Sequence, residues 1–180
     1  MINVYPQHRH LMDNGDVIEF ASNSIIGKMI RLVTRKDVNH TAILWCVDEF
    51  KEVKDRRFVM EALNQGIELN LMSARLKDYK GIAYWYKLKD EYEPCRDRAA
   101  SICLLAEGRT DELRYDYVSL IRNLYRRVNA DVEKHSFCSE FVQWVLQESG
   151  ILEKHKKALR PGEFAKLGVF HPRVMIYSWK

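Results

Sequence analysis

The sequence predicts an α+β fold, with helices packed on a mostly antiparallel sheet. Three observations carry that reading. Between Gly15 and Leu88, short apolar or alternating runs are separated by turn residues, as in an antiparallel sheet. After Pro94 the apolar residues recur at helical spacing instead. The chain has 180 residues, of which 47% are hydrophobic, enough for one domain over 1–180 with a substantial core.

Residues 1–14 are polar and read as irregular. Gly15-Asp16 is a turn, and Val17-Ile18-Glu19-Phe20 is a short strand. Ser22-Asn23-Ser24 offers caps for a helix over 24–34, where Ile25, Ile26, Met29, Ile30 and Val33 recur at helical spacing. A polar loop over 34–39 delivers His40 to the mouth of the strand Thr41–Val47, whose near-continuous apolar run suits a strand covered on both faces. Asp48–Arg57 reads as a charged hairpin loop. Strands follow at Phe58–Leu63, Ile67–Leu71 and Ile82–Leu88, with a short helix over 73–80, so the middle reads as an antiparallel meander. Helices are expected from Ala99 to near Gly108, from Tyr115 to about Val128, and from Cys138 to Gly150. The chain closes with Pro161-Gly162-Glu163-Phe164-Ala165, a loop and a helical turn, and a strand at Val174–Trp179.

Charged residues make up 30% of the chain and the net charge is +4. This mild basicity, in small clusters at Arg56-Arg57, Arg126-Arg127 and Lys154–Lys157, reads as solvated surface and gives no strong nucleic-acid signal. The four cysteines form no C-x-x-C pair and no disulfide framework. Met1–Arg9 lacks the apolar run of a signal peptide, which points to a cytoplasmic protein. The apolar stretch Ile25–Val33 is broken by Gly27, Lys28 and Arg31, so no membrane span is expected, and no amphipathic anchor is evident. No cofactor is implied, and the sequence does not fix the oligomeric state.

The helix that begins at Ser136-Phe137-Cys138-Ser139-Glu140 carries the chemistry. Phe141, Val142, Val145 and Leu146 make one face apolar, and Cys138 projects from that side. Ser136 is suited to cap the helix, and Glu140 suits its positive end. Two readings of Cys138 stand side by side. Free cysteine is among the most buried residue types, and a thiol among the unpaired N–H groups of a helix start is placed as a nucleophile.

A nucleophilic thiol needs an imidazole and a group to orient it. His40, on a rigid strand start, is the candidate base, the bland alternative being a capping histidine. Glu61 is the lone carboxylate in the apolar run Phe58–Leu63. A hairpin turning near 51–54 would put it diagonally beside His40. Unless it faces solvent, a carboxylate there needs a partner. A zinc site from His40, His135 and Cys138 lacks a second closely spaced ligand pair, so no metal is assigned.

Taken in order, Gly15-Asp16-Val17-Ile18, Asn39-His40-Thr41-Ala42-Ile43, Met60-Glu61-Ala62, Tyr115-Asp116-Tyr117 and Phe137-Cys138-Ser139-Glu140-Phe141-Val142 resemble the circularly permuted NlpC/P60-like proteins, notably the YiiX/YebB-like papain-fold hydrolases. The resemblance runs from about Asp13 to Phe164 and takes in the Pro161-Gly162-Glu163-Phe164 turn. It implies a permuted papain-like fold in which the histidine strand precedes the cysteine helix. It also implies a Cys138–His40–Glu61 triad and an oxyanion hole that includes the Cys138 N–H. Tyr115 would line the cleft, though it reads equally as a core aromatic.

The expected activity is that of a cysteine peptidase or amidase-like thiol hydrolase, cleaving an amide or ester through an acyl-enzyme. Its substrate would be a small-molecule, peptide or lipid acyl compound. A lipid acyltransferase or phospholipase of the lecithin:retinol acyltransferase-like type, or a non-catalytic binding module on the same fold, are the alternatives.

Overall fold

A computed structural model describes residues 1–47, 55–63, 66–108, 137–154 and 157–179. Seven strands form one antiparallel sheet: β1 (Ile2–Asn3), β2 (Val17–Ser22), β3 (His40–Cys46), β4 (Arg57–Leu63), β5 (Gly66–Leu71), β6 (Gly81–Tyr86) and β7 (Val174–Ser178). Their spatial order is β1-β7-β6-β2-β3-β4-β5. The described helices are α1 (Tyr5–His8), α2 (Ile25–Thr34), α3 (Met72–Lys77), α4 (Arg96–Gly108) and α5 (Phe137–Glu148), with 3-10 turns at Arg9–Leu11, Asp90–Cys95 and Phe164–Lys166. The protein is therefore α+β. The expected helix from Tyr115 to Val128 and most of the hairpin loop Asp48–Arg57 lie outside the described residues.

Strands β2 to β5 form the expected meander, but β6 does not extend it. It crosses back to pair with β2, from Val17 opposite Tyr86 to Ser22 opposite Gly81. Strand β7 then adds to β6, and β1 closes that edge. The N-terminal segment is accordingly more ordered than its polarity suggests: Tyr5 and Met12 are buried under the sheet.

Both faces of the sheet are covered because residues alternate between them. Val17, Ile43 and Met60 pack with Ile102, Ala106, Phe141 and Val145 of α4 and α5. Ile18, Phe20, Leu44 and Val59 pack on the other side with Tyr5, Met12, Met72 and Leu76. The apolar positions of α5, namely Phe141, Val142, Val145 and Leu146, have no exposed surface. Burying each such side chain is worth roughly 1.5–3 kcal/mol, so they hold the helix against the sheet.

Helix α2 is seated differently. Ser24 caps it, accepting from the Gly27 N–H at 3.0 Å. Its small and polar side faces β2. A Cβ at Gly27 would stand 2.9 Å from both the Cβ and carbonyl oxygen of Ser22, and the Arg31 guanidinium donates to the Ser22 carbonyl. The apolar stripe points away from the core, opposite to the usual arrangement of a surface helix.

Two charged residues read from the sequence as turn and surface are interior. Asp16 is fully buried and accepts from Arg96 Nη1 at 2.9 Å, Trp85 Nε1 at 2.8 Å and the Leu88 N–H at 3.0 Å. This joins the start of α4 to β2 and β6. Arg57, expected in a solvated cluster, is buried on β4 and donates to the Met12 carbonyl at 2.7 Å. Removing one partner from a buried ion pair costs about 3–5 kcal/mol. Arg96→Ala is expected to lower the unfolding free energy by about that amount in urea denaturation; a loss below ~1 kcal/mol would mean that Asp16 does not anchor α4.

Candidate functional site

Strand β3 begins at His40 because the loop before it is pinned. The Asn39 N–H donates to the Phe20 carbonyl at 2.9 Å, and Asn39 Oδ1 accepts from the Ser22 N–H at 2.7 Å. His40 is thereby held opposite Phe20, their ring centroids 5.9 Å apart. In the β3–β4 ladder Leu44 faces Val59. The same register sets Glu61 across from Ala42, one step along the face from His40. Glu61 Oε2 lies 2.7 Å from His40 Nε2.

Glu61 has no exposed surface, and three neighbours meet it. Besides His40, Arg75 Nε on α3 donates to Oε1 at 2.9 Å and approaches Oε2 at 3.2 Å, and Asn70 Nδ2 on β5 reaches Oε1 at 3.4 Å. Burial alone would raise the Glu61 carboxyl. The hydrogen bond and charge of His40, then Arg75, outweigh it and hold the group down at about 2. Arg75 is itself held over the rings of Phe20 and Tyr79, at 4.7 Å and 5.1 Å from their centroids. Such stacking suits a planar guanidinium.

Cys138 sits in the first turn of α5, buried at 3% exposure. It is in hydrogen-bonding contact with His40. Burial pulls the His40 imidazole down, but the charge and hydrogen bond of Cys138, then those of Glu61, push it up to about 10. Glu61 occupies Nε2, so Nδ1 is the nitrogen left for the sulfur. The other thiols have different surroundings. Burial pushes the Cys103 thiol up to about 12. Cys46 is buried near the Met12 carbonyl, at 3.9 Å. No disulfide links any of the four cysteines.

The segment after α5 is tied to the same region. Ser139 Oγ donates to the Leu159 carbonyl at 2.6 Å, and Gln143 brackets the same stretch, donating to the Lys157 carbonyl and accepting from the Leu159 N–H. Gly162 adopts a left-handed φ of 82° and donates its N–H to Glu19 Oε1 at 2.6 Å. Burial pushes the Glu19 carboxyl up to about 7. Glu163 pairs with Lys36 at 3.5 Å, which links this segment to the chain leaving α2.

The structure thus brings Cys138, His40 and Glu61 together. Tyr115, His135 and the proposed cap Ser136 lie outside the described residues. Arg75 and Glu19 were not singled out from the sequence. Arg75 had one usable signal: it is the only arginine between Arg57 and Arg96, and a buried Glu61 needs a cation. Glu19 had the cue that Glu61 had, as the one carboxylate in the apolar strand Val17–Ala21. Among the described residues no group of three or more His, Cys, Asp or Glu side chains could hold a metal ion, and no helix is long and apolar enough to cross a membrane.

No family model matches the chain, and no curated protein matches it. Among solved structures it is similar to the crystal structure of metalloprotein yiiX from Escherichia coli O157:H7, with a TM-score of 0.52 and 18% identity. The match covers 78% of this chain and 67% of that one. At that identity the likeness is one of fold: a mixed α+β chain with an antiparallel sheet flanked by helices.

The shifted groups set a pH window. Glu61 is depressed from an ordinary 4.5, so its stabilising effect is present above pH 4.5 and is lost as the pH falls towards about 2. His40 is raised from 6.5, so its effect is full below pH 6.5 and is lost as the pH rises towards about 10. The stability difference between the wild type and His40→Gln is expected to shrink between pH 6.5 and 10 in parallel urea titrations. A constant difference would show that His40 is not charged in the folded protein.

Proposed function

We propose that the chain is a thiol hydrolase on a circularly permuted papain-like fold, with Cys138 as nucleophile, His40 as general base and Glu61 as the group that orients His40. One observation carries this reading: the His40 imidazole lies 2.7 Å from Glu61 through Nε2 and is acted on by the charge and hydrogen bonding of Cys138 as well. The similarity to yiiX and the chain order, histidine strand before cysteine helix, support it. The described elements together form one domain in this reading.

In the reaction, Cys138 Sγ attacks an amide or ester carbonyl and its proton resides on His40 Nδ1. The oxyanion forms beside the first turn of α5, where backbone N–H groups lack helical partners. His40 then passes its proton to the leaving amine or alcohol, leaving a thioester on Cys138. Water, deprotonated by His40, attacks the thioester; the acid departs and the proton returns to the sulfur. Glu61 holds the imidazole through both halves without taking the proton, because its own carboxyl lies far lower.

The yiiX protein is described as a metalloprotein. Among the described residues of this chain no group of three or more His, Cys, Asp or Glu side chains could hold a metal ion, and no step is routed through one.

Iodoacetamide at neutral pH, with peptide mapping by mass spectrometry, is expected to modify Cys138 first, and Cys138→Ala should remove the fast phase. His40→Ala is expected to slow labelling by about 100-fold or more, the usual weight of a positioned base. If Cys46, Cys95 or Cys103 carries the fast phase, Cys138 is not the nucleophile.

A further inference from the structure

Helix α2 exposes its apolar stripe. Ile25, Ile26, Met29, Leu32 and Val33 are each 60–80% exposed, and all lie on one side of a ten-residue helix. The opposite side, Gly27 and Arg31, is the one seated on β2. Scattered exposed aliphatics are ordinary, but five on one helical stripe mark a docking surface. Charge indicates what docks there. No acid occurs from Ile25 to Lys36, whereas Lys28 and Arg35 are exposed beside the stripe. The acids that follow are already matched: Asp37 pairs with Arg173 at 2.6 Å and Glu163 with Lys36 at 3.5 Å. The local surface is thus apolar with a net positive rim.

From this we propose that α2 is an interfacial helix that docks the protein on an anionic lipid bilayer, its aliphatic stripe among the acyl chains and Lys28 and Arg35 at the headgroups. That is the physical form of a surface-lying amphipathic helix. A second copy of the chain fits less well. A ten-residue helix is about 15 Å long, and pairing two such stripes buries less than the roughly 1,200 Å² of a stable interface while bringing cationic rims together. The seated side of α2, opposite the docked face, reaches towards the candidate site. Arg31 approaches Asn39 Oδ1 at 3.4 Å, and Asn39 immediately precedes His40. The proposal does not depend on the hydrolytic reading, because docking requires neither Cys138 nor turnover.

Vesicle co-sedimentation tests it, using phosphatidylcholine alone or mixed with phosphatidylserine, with the wild type and the double variant Ile26→Asp, Leu32→Asp. The wild type is expected to pellet with the anionic vesicles, less so at high salt. The variant should bind about tenfold more weakly or worse, since each buried aliphatic side chain is worth about that factor. Its melting temperature should match the wild type, because Ile26 and Leu32 are mostly exposed. Any of four results would overturn the proposal: no pelleting of the wild type; equal pelleting with phosphatidylcholine alone; equal pelleting of the variant; or a wild-type dimer that the variant dissolves. A variant that melts several degrees lower would also overturn it, by showing that the chain itself covers the face.

Discussion

A carboxylate without exposed surface sets the geometry of this protein. Glu61 lies on β4 between β3 and β5, buried where an unpaired charge would cost several kcal/mol. It is retained because His40 on β3 and Arg75 on α3 meet its two oxygens, with Asn70 of β5 alongside. That requirement fixes three elements at once. It sets the rotamer of His40, holds α3 against β4 and β5, and leaves one imidazole nitrogen facing the start of α5. The chemistry proposed for Cys138 follows from how the sheet accommodates a single buried charge.

The two faces of the sheet divide the work. One is a largely apolar layer under α4 and α5, which brings the first turn of α5 to the start of β3. The other carries Glu61, Arg75 and the Phe20–Tyr79 rings, a partly polar layer that positions His40. The Asp16–Arg96 pair ties the start of α4 to β2 and β6. Helix α2 belongs to neither layer. It keeps its small and polar side for the protein and turns its apolar side outward, so its stability rests on the Ser24 cap and the Gly27–Ser22 approach rather than on core burial.

Much of this was legible in the sequence where the controlling interactions are local. The strand and helix positions follow from periodicity and turn residues, and β4 pairs antiparallel with β3, Ile43 opposite Met60. A hairpin turning near 51–54 is the expectation that placed Glu61 diagonally from His40. What was not legible depends on distant contacts. The crossover of β6 to β2 leaves no mark on the pattern of either strand. Arg57 and Asp16 look like surface and turn residues until Met12, Arg96 and Trp85 are brought to them. The spacing of Ile25, Ile26, Met29, Ile30 and Val33 defines a helical face but not the direction in which it points, which is set by the seating of Gly27 and Arg31 on β2.

The most direct test of the central claim is the titration of the His40 imidazole, followed by nuclear magnetic resonance in the wild type and in Cys138→Ala. Coupling to the thiol and to Glu61 predicts a wild-type imidazole that stays protonated well above its ordinary 6.5 and titrates distinctly lower once the sulfur is gone. A His40 that titrates near 6.5 in both proteins would contradict the account, because the histidine would then not be coupled to Cys138.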